Sequence, residues 1–174
     1  MFAGVRTILF ATNLSTEARR VFEYTVSLAD GLGAQIVLLH VLEGTSSVVE
    51  SRLRNIVTED TVAAIKEKNR EAAKDALIGK SRDGRMIHDA LHAMCDDEKA
   101  ARKECRFGIA EIVIAEGNVG DVIVDAAGKN NCDLIVMGHY ERGFFELGRL
   151  TSAVNHVLKK SGIPVLLVPV KEKE

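Results

Sequence analysis

Short apolar runs and longer amphipathic segments alternate along most of the chain. Thr7–Thr12 and Gln35–Leu42 are rich in aliphatic and β-branched residues, and Gln35–Leu42 is apolar at successive positions. A run of this kind is typical of a strand that is buried on both faces, as in a parallel sheet. Similar runs occupy Ile109–Ala115, Leu134–Met137 and Pro164–Val168. The pattern therefore predicts five strands.

Helices are predicted between the strands, where apolar residues recur at helical spacing. The first stripe runs from Ala18 to Leu32, with Ser15 as the predicted N-cap and with Gly31 and Gly33 at its end.

A short helix is predicted after the third strand, where Asn118 and Asp121 are spaced like a capping box. The last helix is predicted to end at Gly162.

The segment from Glu43 to Arg106 is charged, long and mostly helical in its pattern. One apolar stripe begins at Val62 and a second at Ile87, and Ser81–Gly84 between them has the composition of a turn. A crossover between parallel strands needs only one helix. We therefore predict a helical insertion over about 44–106, built as one helical hairpin.

The alternation of strands and helices predicts an α/β fold: a Rossmann-like, open, parallel five-stranded sheet with helices on both faces. We expect residues 1–174 to form a single domain. Ligands of such sheets bind beyond the carboxyl ends of the strands, where the strand order reverses. Three predicted loops meet at that edge, namely Asn13–Ser15, Glu116–Gly120 and Gly138–Ser152.

Composition narrows the function classes. Lys and Arg number 23 against 25 Asp and Glu, so the charge gives no basis for binding nucleic acid or an anionic membrane. No apolar run is long enough to span a bilayer, and the first residues, MFAGVRTILFATN, lack the features of a signal peptide. Cys95, Cys105 and Cys132 are odd in number and unpatterned. They favour a reducing, cytoplasmic environment over a disulfide framework.

Four stretches of the sequence resemble the universal stress protein family. They are ILFATNLS near the start, LLHVLE at 38–43, EGNVGDVIVDAAGKNNCDLIVMG at 116–138 and the closing SAVNHVLKKSGIPVLLVPV. The resemblance implies a fold of the adenine nucleotide alpha hydrolase-like type, and a regulatory or protective role in the stress response rather than an enzymatic one. Members commonly pair through the last strand. We predict a homodimer built on Pro164–Val168, whose apolar edge would be a liability without a partner.

Nucleotide-binding members of this family carry an acidic residue after strand one and Gly-x2-Gly-x9-Gly-[Ser/Thr] after strand four. Those glycines let backbone N–H groups close on phosphate oxygens, and the following helix N-terminus adds its dipole. The resemblance implies an ATP or AMP site that comprises Thr12, Asn13, Val41, Gly117, Gly138, Glu141, Thr151 and Ser152.

The phosphate loop departs from this pattern. Gly138 and Ser152 match it, but Glu141 and Thr151 replace the second and third glycines, and Asn13 replaces the acidic residue. A carboxylate within about 4–6 Å of a phosphate costs on the order of a few kcal/mol unless it is screened or paired. The departures predict a degenerate loop with weak or no ATP binding.

The same loop gains Arg142, a candidate partner for Glu141, and the bulky residues Phe144 and Phe145. Three functions remain open. One is a homodimeric stress-response binder that acts through contacts with an unidentified protein. The second is an adenine-nucleotide sensor that uses the same site, and the third is a slow ATPase, for which no base or acidic metal cluster is evident.

Other candidate chemistry has simpler interpretations. His88, His92 and Cys95 have a spacing that suits metal ligands on a helix, but they border an apolar stripe, and we predict no metal site. His40 lies within a predicted buried strand, where a hydrogen-bonded core histidine is expected. Cys132 precedes strand four and is expected to be structural.

Overall fold

Five parallel strands form the centre of the fold. They are β1 (Thr7–Thr12), β2 (Gln35–Leu42), β3 (Gly108–Glu116), β4 (Leu134–Glu141) and β5 (Val165–Lys171). The computed structural model describes residues 4–42, 46–72, 79–141 and 151–171. The strands lie in the order β3-β2-β1-β4-β5, and each neighbouring pair is parallel. The strand order therefore reverses between β1 and β4.

Helices cover both faces of this sheet. They are α1 (Ala18–Leu32), α2 (Ser46–Leu53), α3 (Glu59–Ala72), α4 (Gly79–Ala100), α5 (Val119–Lys129) and α6 (Ser152–Lys160). Successive residues of a strand face opposite sides. Phe10 of β1 accordingly packs in the core beneath α1 to α4, and Leu9 packs in the core beneath α5 and α6. The predicted fold class is confirmed, whereas the single domain over 1–174 stays a prediction.

The first helix begins later than the sequence pattern indicates. Ser15 was the predicted N-cap, but the helix cap is Glu17, which makes no side-chain cap bond. The carbonyl of Ser15 accepts from the N–H of Ala18 at 3.0 Å, so a turn precedes the helix. At the other end Gly33 has a φ of 65°, which confirms it as the left-handed residue that ends α1, while Gly31 lies inside the helix.

The last helix ends without a glycine. Gly162 was the predicted cap, but Ser161 occupies that position with extended backbone, at φ −68° and ψ 130°. Its hydroxyl donates to the carbonyl of Ile163 at 2.7 Å and accepts from the N–H of Ile163 at 3.1 Å. The N–H of Ser161 donates to the carbonyl of Val157 at 2.8 Å, so the helix ends on a backbone bond and the serine side chain holds the turn that follows.

The segment after β2 is helical, as predicted, but its described residues, 46–72 and 79–106, contain three helices where one hairpin was predicted. Ser81–Gly84, the predicted turn, lies inside α4. Gly84 faces the sheet, where an added Cβ would contact Ile114 and Leu42 at 3.6 and 3.9 Å. The glycine is therefore a packing position, which its composition alone does not reveal. The status of 44–106 as an insertion is not confirmed.

Two of the three cysteines are buried in the cores. Burial raises the pKa of the Cys95 thiol to about 12 and that of Cys132 to about 11. Both thiols therefore stay protonated and act as small apolar side chains, in agreement with the structural role expected for Cys132. Cys105 is exposed.

Along the described parts of the chain, no helix combines the length and the apolar character that a membrane crossing requires.

The first residues of β1 are tied to the segment before β4 by one carboxylate. The N–H groups of Arg6 and Thr7 donate to Oδ2 of Asp133 at 2.8 and 3.0 Å, and the N–H of Asp133 donates to the carbonyl of Thr7 at 2.8 Å. These backbone bonds favour the ionised carboxylate, and they hold the pKa of Asp133 below its ordinary value.

A pH-dependent stability contribution follows. Because the folded pKa of Asp133 is lowered, its contribution is fully present above the ordinary aspartate pKa of about 3.9 and is lost as the pH falls through the folded value. We expect Asp133→Asn to lower the free energy of unfolding by about 1 kcal/mol at pH 7. That difference from the wild type should shrink towards pH 3. Urea unfolding at pH 7, 5 and 3 measures it.

Asp125→Asn, on the exposed side of α5, is the matched control and should change stability little at any of these pH values. A wild-type advantage over Asp133→Asn that is the same at pH 7 and pH 3 would contradict this account.

Candidate functional site

The turn that leaves β1 has an unusual backbone. Leu14 is fully buried and has a φ of 55°, a left-handed conformation that costs a branched residue about 1–2 kcal/mol. Three bonds hold the turn. The N–H of Leu14 donates to Thr12 Oγ1 at 3.1 Å, the N–H of Ser15 donates to Asn13 Oδ1 at 3.1 Å, and Asn55 Nδ2 donates to the carbonyl of Leu14 at 2.8 Å. The strained turn is thus fixed from both sides.

Asn13 has its carbonyl oxygen committed to this turn. The side chain is exposed at the carboxyl edge of the sheet. An aspartate in the same place would present two acceptor oxygens and a negative charge, whereas asparagine presents one oxygen and an N–H donor group. A ligand that meets Asn13 therefore meets a neutral amide and not a carboxylate charge.

His40 joins the ends of β1 and β2. It is only 3% exposed, and its Nδ1 lies 2.8 Å from the carbonyl of Thr12, which is its neighbour in the sheet register. Because a carbonyl oxygen only accepts, Nδ1 carries the hydrogen and donates it. The expectation of a hydrogen-bonded core histidine is confirmed. The bond also fixes the backbone from which Asn13 projects.

A cavity of about 100 Å³ opens at the carboxyl edge, next to the point where the strand order reverses. Its apolar wall comes from β1, β2, β4 and α5, through Phe10, Leu39, Met137 and Ile123. Five of the residues predicted from the family resemblance also line it, and they are Thr12, Asn13, Val41, Gly138 and Thr151. Pockets that enclose a drug-sized ligand measure about 300–1,000 Å³, so this cavity by itself encloses only a part of such a ligand.

Three of the predicted site residues do not line the cavity, as far as the structure describes its wall. Gly117 precedes α5 with a φ of 133°, a conformation that requires glycine, and Val119 lines the cavity in its place. Ser152 is the exposed first residue of α6 and lies between two lining residues, Thr151 and Ala153. Glu141 ends β4, and its side chain lies outside the described residues.

Arg142, Phe144 and Phe145 also lie outside the described residues. Gly138 was predicted to begin the loop, but β4 continues through it because Gly138 and His139 pair with Val168 and Pro169 of β5. The first residue of the predicted phosphate loop therefore belongs to the sheet.

Two helices begin beside the cavity. Asn118 caps α5, and its Oδ1 accepts from the N–H of Asp121 at 3.2 Å. Thr151 caps α6, and its Oγ1 accepts from the N–H of Val154 at 3.3 Å. A helix N-terminus carries a partial positive charge, so two of them at one edge favour an anionic group there. The capping role of Asn118 is confirmed, whereas the cap formed by Thr151 was not predicted.

The sequence pattern also missed much of the apolar wall. Phe10, Leu39 and Met137 were assigned to strands, but the pattern did not separate residues that face the cavity from those that face the cores. Side chains alternate between the two faces of a strand, and Leu39 therefore lies on the same face as Val41, two residues earlier. The predicted site residue Val41 thus also points to Leu39.

The candidate metal ligands do not converge. Cys95 is buried in the core beneath α4, whereas His92 is exposed and pairs with Asp96 at 3.0 Å. His88 Nδ1 lies 3.9 Å from Asp89 Oδ1. Within the described ranges, no three His, Cys, Asp or Glu side chains are grouped to hold a metal ion.

Comparison with known proteins bears on the family. A family model described as the universal stress protein family matches residues 4–169. Universal stress protein A of Salmonella typhimurium is 25% identical over 167 residues, which are 96% of each chain. Universal stress protein A of Photorhabdus laumondii is 26% identical over the same shares.

Solved structures share the fold. UspA from Lactobacillus plantarum has a TM-score of 0.59 at 17% identity, covering 96% of this chain and 99% of that one. A universal stress protein in complex with cAMP has a TM-score of 0.57 at 17% identity, covering 96% and 98%. An Arabidopsis thaliana member with AMP bound has a TM-score of 0.52 at 17% identity, covering 94% and 91%.

The parallel sheet defines a Rossmann-like protein, and its cavity lies beside the point of reversal, where ligands of such sheets usually bind. The family match over 4–169 goes further: the chain belongs to the universal stress protein family, whose members are stress-response proteins. The resemblance seen in the sequence is confirmed.

Proposed function

We propose that this chain is a homodimeric, regulatory or protective binding protein of the stress response, and that its site binds ATP weakly or not at all. It acts by binding and not by turnover. The observation that carries the proposal is Thr151. This residue stands where nucleotide-binding relatives have a glycine, and its side chain is committed to capping α6.

Thr151 limits the backbone on which a phosphate would rest. Its φ of −60° and ψ of 156° are ordinary extended values. A glycine at this position reaches left-handed and other conformations that a β-branched residue avoids. A loop that closes its N–H groups around a polyphosphate uses that freedom. Threonine therefore supports a helix cap and opposes a cradle.

Glu141 adds a second obstacle through its charge. Its position at the end of β4 follows Gly138 by three residues, where the family pattern places the second glycine of the phosphate loop. A carboxylate near the β- and γ-phosphates of ATP is repelled, and the repulsion grows with the number of phosphates. A monophosphate that sits closer to the helix N-termini is affected less.

The cavity supports a second candidate function, an adenine-nucleotide sensor of the AMP type. Its apolar wall and small volume suit a base, and the two helix N-termini suit one phosphate. Relatives of the same fold are described in complex with cAMP and with AMP bound. Slow ATP hydrolysis ranks last, since no acidic cluster that could hold a metal occurs among the described side chains.

The homodimer is proposed at β5, which is an edge strand. Leu166 of this strand is 42% exposed. Leu158 of α6 is 43% exposed and lies about 200° around the helix from His156, which faces α5. Leu158 therefore points away from α5, on the helix that leads directly into β5. Exposed leucines beside an unpaired strand support pairing with a second copy.

Dimerisation can be tested at this strand. We expect the wild type to elute with twice the mass of one chain in size-exclusion chromatography with light scattering. Leu166→Glu should shift it to the monomer, because a buried unpaired charge opposes association. Val48→Glu, at a 39% exposed position on α2, is the matched control and should remain dimeric. A monomeric wild type would refute the proposed dimer.

ATP affinity can be tested by restoring the glycines. The double variant Glu141→Gly, Thr151→Gly should bind ATP at least about tenfold more tightly than the wild type in titration calorimetry, because a repulsive charge is removed and backbone freedom returns. Loss of the Thr151 cap should cost only a few tenths of a kcal/mol.

Glu141→Gln is the control that separates the two causes, since it removes the charge and keeps a side chain. It should recover part of the gain. An unchanged heat of ATP binding in the double variant would count against a degenerate loop.

A further inference from the structure

One contact between α5 and α6 is unusually close. It is made by Gly120, Asp121 and His156, which together are called the α5–α6 latch below. A Cβ atom on Gly120 would lie 2.7 Å from the Cβ, Cγ and Cδ2 atoms of His156. Side chains do not approach so closely, and therefore only glycine at position 120 lets α6 come this near to α5.

A short polar bond closes the latch. His156 Nε2 lies 2.6 Å from Asp121 Oδ1. A carboxylate only accepts, and thus the imidazole carries the hydrogen and donates it. The backbone N–H of Asp121 is held by Asn118, the cap of α5. Asp121 accordingly links the first turn of α5 to the middle of α6.

The latch crosses the point at which the strand order reverses. α5 contacts β1, β2 and β3, whereas α6 follows β4 and leads into β5. Val119 and Ile123 line the cavity from α5, and on the other side it is lined by Val154 of α6 and by Thr151, the cap of that helix. The distance between the two helices therefore sets the width of the crevice above the cavity.

We propose that the α5–α6 latch is a positioning device that fixes this width and, through it, the affinity of the site for an adenine monophosphate. The ligand part of this proposal, the effect on affinity, rests on the proposed AMP-type site. The geometric part, the fixed width of the crevice, does not. Neither Asp121 nor His156 is among the residues that line the cavity. The pair acts through the spacing of the two helix N-termini.

Amide hydrogen exchange tests the geometric part without a ligand. His156→Leu should speed amide exchange in the first turns of α5 and α6 about tenfold. This is the lower end of the effect expected for loss of a charge-assisted hydrogen bond, and we expect the lower end because the side chains of Asp121 and His156 are both partly exposed. His156→Gln retains an N–H donor and should restore exchange to within about threefold of the wild type.

His92→Leu is the matched control. It removes a histidine that is paired with an aspartate inside one helix, α4, and it should leave exchange in α5 and α6 unchanged. Gly120→Ala should speed exchange when His156 is present and should add nothing to the effect of His156→Gly, since that change also removes the Cβ at position 156 and the clash is then absent. Equal rates of amide exchange in the wild type and in His156→Leu would overturn the proposal that the latch fixes the spacing of α5 and α6.

Titration calorimetry with AMP tests the ligand part. Where the wild type binds AMP, His156→Leu should weaken binding about tenfold, while His156→Gln and His92→Leu should retain it. Equal AMP affinity in the wild type and His156→Leu would overturn control of the site by the latch. A wild type that takes no AMP would refute both the AMP-type site and the ligand part of the proposal, and exchange would then decide the geometric part alone.

Discussion

The placement of β1 at the centre of the sheet governs what the rest of the molecule can do. Ile8 and Leu9 are fully buried on opposite faces, so the strand has no freedom to shift. Asp133 fixes its beginning against β4, and the left-handed turn at Leu14 fixes its end. Because the order of strands reverses between β1 and β4, these anchors also fix the two sides of the crevice. The strain at Leu14 is a cost that accompanies a rigid site.

The proposed nucleotide site has two unequal halves. The half that suits a base is built from strand residues such as Val41 and Met137, and its shape is set by the packing of the sheet. The half that suits phosphates depends on loop backbone and on helix N-termini, where Thr151 is already committed to capping α6. A fold can retain the first half through its core alone, whereas the second requires specific glycines. The proposed loss of ATP binding is a change of this second half.

Sequence patterns predicted the features that depend on local chemistry. Gln35–Leu42 was assigned with its observed bounds, since a strand buried on both faces is apolar at successive positions. The cap at Asn118 followed from its spacing to Asp121. Features that depend on distant contacts were missed. Gly84 has the composition of a turn but packs against β2 and β3, and the bond from Asp121 to His156 joins residues 35 positions apart. Five of the eight predicted site residues line the cavity, at the ends of β1 and β2, within β4 and at the cap of α6.

The absorbance spectrum of the purified protein tests the central claim most directly. The chain has no Trp and only two Tyr, so its own near-ultraviolet absorbance is low and a retained nucleotide would dominate near 260 nm. The account predicts a spectrum free of that band, and no ATP released on denaturation. One ATP per chain, carried through purification without added nucleotide, would contradict it.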